Sequence, residues 1–102
     1  MAVLLGAIKR TRLVKKLPLP KSTLNELVKL RSSIDDKKND YDKDFYFGVR
    51  AITNNAIYDL VEYEYLDSIQ KLMTLRKYLP NAIDYDKHIK LILQAKKRYD
   101  NI

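Results

Sequence analysis

The chain contains no cysteine and no tryptophan, and its 102 residues include only two glycines, three prolines and one histidine. The absence of cysteine excludes a disulfide framework, thiolate catalysis and Cys-ligated zinc. Two isolated glycines supply neither a P-loop nor a dinucleotide-binding fingerprint. The one histidine, His88, lacks the companions that a catalytic triad or a metal site requires. It reads as a boundary residue of an amphipathic helix. Long apolar runs are also missing. The longest, Ala2 to Ile8, is interrupted by Gly6, whereas a membrane-spanning helix needs about 20 such residues. Its positive charges follow it, the reverse of a secretory signal. An intracellular protein, without membrane contact, is expected.

Hydrophobic residues make up 46% and charged residues 32% of the chain, the balance of a folded domain, not a disordered one. The length fits one domain. The net charge is +7, and its location is informative. Residues 1–34 carry eight basic residues and one acid, Glu26, while residues 35–102 carry twelve of each sign. The excess in the first third suits an anionic partner such as nucleic acid, an acidic peptide or a lipid surface. It equally suits a solvated face, or a segment that pairs with acids elsewhere in the fold.

Leu24, Leu27, Val28, Leu30 and Ile34 recur at helical spacing, and Thr23-x-x-Glu26 has the form of a capping box. This predicts a helix over 22–35. A charged connector follows, 36–44. Phe45, Phe47, Val49 and Ala51 then alternate, Asn54-Asn55 marks a turn, and apolar residues resume from Ala56 to Tyr65. That order predicts a β-hairpin. Leu66, Ile69, Leu72, Met73 and Leu79 predict a helix ended by Pro80. His88, Ile92, Ala95 and Tyr99 predict a C-terminal helix over 84–101.

Shifting residues 3–33 by 42 positions places Gly6 on Gly48 and Thr11 on Thr53. The aligned elements suggest a duplication. Unit 1 would span 3–35 and unit 2 would span 45–79, each a hairpin followed by a helix. A rival register matches Leu13-x-Lys-x-Leu-Pro with Leu75-x-Lys-x-Leu-Pro and makes 3–17 helical. The first register pairs the glycines and needs no gap. The expected fold is therefore α+β, two tandem β-hairpin–helix units plus a C-terminal helix, in a single domain over 1–102. A glycine in each first strand suggests a bulge or close backbone approach.

No residue set carries catalysis. Asp40-x-Asp42-x-Asp44 has the opening of a calcium loop, but Phe45 replaces the required glycine and Ala51 the bidentate glutamate. Asp59, Glu62 and Glu64 supply carboxylates without a marked cleft. No enzyme, metal or cofactor is expected. The aromatics are more informative, with seven of ten between Tyr41 and Tyr65. Tyr supplies large contact area at low entropic cost, and it also serves as a core boundary residue. Tyr46, Tyr58, Tyr63 and Tyr65 are the candidate aromatic contacts. Lys9, Arg10, Arg12, Lys15 and Lys16 are the candidate basic ones. A protein or peptide would add to a strand edge or groove between the units. The alternative is nucleic-acid binding through the basic first hairpin, although no RNP, finger or helix-turn-helix signature is present. The opposed charges of the halves also allow a homodimer beside the monomer.

The segments DFYFGVRAITNNAIYDLVEYEYL and LPNAIDYDKHIKLILQAKKRYDN, with abundant Lys, Leu, Ile and Tyr and only two Gln, resemble small proteins of crenarchaeal filamentous viruses, the Acidianus filamentous viruses. The resemblance implies a thermostable protein acting inside an archaeal host through protein–protein interaction. It transfers no functional residue.

Overall fold

The computed structural model describes residues 18–101, and these are helical, with no strand among them. Helix α1 spans Lys21–Asp36, a 3-10 turn spans Lys38–Asp40, and α2 spans Lys43–Val61. Helices α3 and α4 span Tyr65–Tyr78 and Tyr85–Asp100. Consecutive helices pack against each other, and α4 returns to α1. The α+β expectation is therefore wrong for the described residues. The expected hairpin over 45–65 is a single helix followed by a short loop. The first hairpin, over 3–19, lies almost wholly outside the described residues. The duplication fails with the second hairpin, since Gly48 lies inside α2 and no strand surrounds it.

One pattern explains the helices. Their buried residues fall at alternating steps of three and four. The row is Thr23, Leu27, Leu30 and Ile34 in α1, and Tyr46, Val49, Thr53, Ala56 and Leu60 in α2. It is Tyr65, Ser68, Leu72 and Leu75 in α3, and Tyr85, His88, Ile92 and Ala95 in α4. Such a row makes one narrow seam per helix, the pattern of bundle packing. The 45–53 stretch satisfies strand alternation as well, which is why it misleads. The helix wins because Tyr46, Val49, Thr53 and Ala56 all reach one core. Asn54-Asn55 lies within α2 instead of turning the chain, and Arg31 Nη1 donates to Asn54 Oδ1 at 3.1 Å.

Helix ends follow local chemistry. Asp42 and Asp84 cap α2 and α4, accepting from the backbone amides of Asp44 and Lys87 at 3.2 Å each. Helix α1 begins after Pro20 without a side-chain cap. The Thr23 capping box is thus not formed. Thr23 sits inside the helix, fully buried, and its hydroxyl shares a 2.9 Å hydrogen bond with His88 Nδ1 of α4.

Each helix contributes one polar residue to the core: Thr23, Thr53, Ser68 and His88. Thr53 Oγ1 donates to Val49 O at 2.7 Å and Ser68 Oγ to Tyr65 O at 2.7 Å, so both are satisfied within their own helices. Thr23 and His88 satisfy each other across two helices. This bond fixes the axial register of α1 against α4, a specification that apolar contacts alone give weakly.

The loop from α2 to α3 closes a Schellman motif. Tyr63 N–H donates to Leu60 O at 3.0 Å and Glu64 N–H to Asp59 O at 2.7 Å. The motif places Tyr63 at φ 61°, where glycine is usual. A bulky residue there costs about 1–2 kcal/mol, so its side chain must compensate by what it touches.

Candidate interaction surface

Three tyrosines lead the buried rows of α2, α3 and α4, with their rings inside and their hydroxyls at the rim. Tyr46 Oη donates to Asp35 Oδ1 at 2.8 Å, which ties α2 to the end of α1. Tyr65 Oη donates to Pro18 O at 2.6 Å, and Tyr85 Oη donates to Leu79 O at 2.6 Å. Burial pushes the Tyr65 and Tyr85 hydroxyls up to about 12, so both stay protonated donors. Asp35 also accepts from Arg50 Nε at 2.9 Å. The Tyr46 hydroxyl and the Arg50 guanidinium hold the Asp35 carboxyl below its usual range. Lys38 lies 5.6 Å from the Tyr46 ring centroid, within cation–π reach.

The candidate aromatic contacts therefore separate. Tyr46 and Tyr65 are core residues with 7% and 4% exposure, whereas Tyr58 stands 68% exposed on α2. Tyr63 is half-buried beside Tyr65, and both meet Tyr99 of α4, a residue the sequence reading assigned only to a helical row. Centroid distances among the three rings are 5.5–6.2 Å. Glu64, Leu66, Asp67, Lys96 and Asp100 complete the walls of this open cleft. Lys9, Arg10, Arg12, Lys15 and Lys16 lie outside the described residues.

Helices α3 and α4 run antiparallel, as contacts at both ends require. Arg76 Nη1, near the end of α3, donates to Asp86 Oδ1 at the start of α4 at 3.0 Å. Leu66 and Asp67, at the start of α3, share the tyrosine cleft with Lys96 and Asp100 at the end of α4. Residues 66, 69, 73 and 76 form one stripe along α3, and 86, 89, 93 and 96 form its counterpart on α4. Between the end contacts, both stripes are apolar. Leu66, Met73 and Leu93 are 56%, 48% and 48% exposed. Ile69 and Ile89 beside them are partly buried against the core. The sequence reading had placed Leu66 and Met73 in the same helical row as Leu72. They lie one position beyond Tyr65 and Leu72, outside the seam.

A second cleft, of about 510 Å³, runs between α1 and the α3–α4 loop. Glu26, Lys29, Ser33, Lys37 and Tyr41 line it opposite residues 79–83. Of the carboxylates noted in the sequence, Asp59 is paired with Lys71 at 3.3 Å. No grouping of three metal-ligating side chains occurs among the described residues, and no described helix is long and apolar enough to cross a membrane. The sequence matches no protein-family model, and no curated protein or solved structure matches it.

Proposed function

We infer that the protein is a non-enzymatic protein-interaction module, and that the outer face of α3 and α4 receives an amphipathic helix of its partner. The exposed stripe of Leu66, Met73 and Leu93, flanked by Ile69 and Ile89, carries this reading. Two apolar stripes side by side on antiparallel helices suit a partner helix that anchors through residues at i, i+3 and i+4. Met73 adds a side chain that adapts to irregular partners. The described residues present no strand edge, so recognition by strand addition gives way to helix-in-groove recognition.

The test is affinity capture from the native host with nuclease added, comparing the natural chain with Leu93→Glu and Met73→Glu. Both positions are about half exposed, so the fold tolerates them, and circular dichroism checks this. Protein partners should survive nuclease with the natural chain and disappear with either variant. An unchanged partner set in both variants would refute the reading. Loss of every partner on nuclease treatment would instead favour nucleic-acid binding through Lys9, Arg10, Arg12, Lys15 and Lys16, where five of the seven excess positive charges lie.

A further inference from the structure

Charge is divided unevenly between the two halves of the described fold. Residues 18–64 carry seven basic residues and nine acids, whereas residues 65–101 carry eight basic residues and four acids. Three cations of α3 and α4 are engaged: Lys71 with Asp59, Arg76 with Asp86 and Lys96 with Asp100. Lys77, Lys87, Lys90, Lys97 and Arg98 form no ion pair among the described residues. Helical spacing sets three of these against the exposed apolar stripes. Lys90 and Lys97 lie three residues before and four after Leu93, and Lys77 lies four after Met73, so each is a surface neighbour of an apolar residue. All three lysines are exposed. The other helical neighbours of Met73 and Leu93 are Ile69, Gln70 and Arg76, and Ile89 and Lys96, with no acid among them. The acids of this face stand at its ends. Asp86 is beside Arg76 at one end, and Glu64, Asp67 and Asp100 surround the tyrosine cleft at the other. Lys77 and Lys97 fall in the last turns of their helices, where the dipole favours a cation. Lys90 lies in mid-helix, where the dipole gives it no such role.

We propose that the α3–α4 face selects an acidic partner, an amphipathic helix whose apolar residues cover Leu66, Met73 and Leu93 and whose flanking Asp or Glu residues meet Lys77, Lys90 and Lys97. This rests on the helix-receiving role inferred above and adds the chemistry of the partner. The spacing suits a helix. Lys90 and Lys97 are seven residues apart, about 10.5 Å along α4. Acids repeated every seven residues on a helix lying alongside α4 therefore reach both. Complementary charge speeds encounter and rejects basic partners, while the apolar contact supplies most of the affinity. Each exposed charge pair contributes about twofold in affinity, so three give about tenfold over a neutral flank.

The test pairs the full-length protein with a display library of helical peptides. Leucine is fixed at i, i+3, i+4 and i+7, and Glu, Lys, Gln or Ala varies at the flanking positions. Selection on the natural chain should enrich flanking Glu, and peptides with three such Glu should outbind their Gln counterparts by about tenfold, less at high salt. Selection on Lys77→Glu/Lys90→Glu/Lys97→Glu, which breaks no ion pair, should enrich Lys instead. Lys77→Gln/Lys90→Gln/Lys97→Gln should erase the preference. Circular dichroism checks that both variants keep their helices. Leu93→Glu separates this proposal from the role beneath it. Peptides that bind the natural chain and are lost with Leu93→Glu, yet show no charge preference or one unchanged by the lysine variants, would overturn the acidic partner and leave the helix-receiving face standing. No enrichment by the natural chain over Leu93→Glu would overturn both. Phosphatidylserine vesicles are the counter-probe. Vesicle binding that the three reversals abolish, with no Glu-flanked peptide enriched, would assign the lysines to a lipid surface and overturn the proposal.

Discussion

Replacing Thr23 by Val removes a hydroxyl and almost no volume, yet it should destabilise the protein by about 1–3 kcal/mol. The reason is that His88 Nδ1, whose residue is 3% exposed, then loses its 2.9 Å partner while remaining buried. His88→Leu alone strands the Thr23 hydroxyl, but that hydroxyl can turn to a carbonyl of its own helix, so the cost is smaller, about 1 kcal/mol. The double variant Thr23→Val/His88→Leu leaves neither group unpaired and should come within about 1 kcal/mol of the natural protein. Urea unfolding of the four proteins gives the coupling energy, expected at about 1–2 kcal/mol. Single costs that simply add in the double variant would refute the register role of this bond. The same set has a pH signature. Burial lowers the His88 pKa from 6.5, against the opposing pull of Glu26 on α1 and Asp84 at the start of α4, while Lys87 reinforces the shift. The unfolded chain therefore binds the proton more readily than the folded one. Stability is fully present above pH 6.5 and is lost as pH falls toward the folded value, by at most about 1.4 kcal/mol per pH unit. The Asp35 carboxyl, lowered from 3.8, acts in the same direction, but only at more acid pH. Persistence of the slope just below pH 6.5 in the double variant would show that His88 is not its source.

Gly48 lies in the interior of α2, and an added Cβ there meets nothing within 4 Å. Gly48→Ala should therefore raise stability by about 0.5–1 kcal/mol in the same urea assay, and any loss would mean that the site is more crowded than its open wall beside Phe45 and Ile52 implies. Tyr63→Gly and Tyr63→Ala both delete the ring, but only alanine must still hold φ 61°. The glycine variant should be more stable than the alanine variant by about 1–2 kcal/mol, and equal stabilities would mean that the loop relaxes out of the left-handed region.

Three helices were legible in the sequence because their apolar residues are concentrated on one face and their ends are marked. Pro20 precedes α1, Pro80 follows α3, and Asp84 caps α4. Helix α2 was not legible. Its seam contains Thr53 and Ala56, while Phe47 is 53% exposed, so a search for hydrophobic residues follows the wrong set. Phe45, Phe47, Val49 and Ala51 alternate because their neighbours Tyr46, Gly48 and Arg50 differ in polarity, not because the backbone extends. The candidate site was hidden for a related reason. Tyr46 and Tyr65 look like contact residues from their clustering, but each occupies the first seam position of its helix and uses its hydroxyl to tie down a neighbouring segment. Of the four clustered candidates, Tyr63 and Tyr65 come together, whereas Tyr46 lies in the core and Tyr58 stands exposed.

The α3–α4 pair inverts the usual arrangement, and this separates residues that build the fold from residues left over. Inside, Ser68 and His88 occupy seam positions among the Leu, Ile and Tyr residues of the core. Outside, Leu66, Met73 and Leu93 stand about half in water. The buried polar residues have an internal explanation, since Ser68 bonds its own helix and His88 bonds Thr23. The exposed apolar ones have none. They lie outside the three-and-four seam, so the core packs without them, and polar residues at these positions would serve the monomer equally well. Each would also gain about 25 cal/mol for every Å² of its apolar surface that a partner covers. Scattered singly, such residues would need no explanation. Here they lie on facing stripes, joined at one end by the Arg76–Asp86 pair and at the other by the tyrosine cleft, and that shared placement is the ground of the proposed partner-binding face.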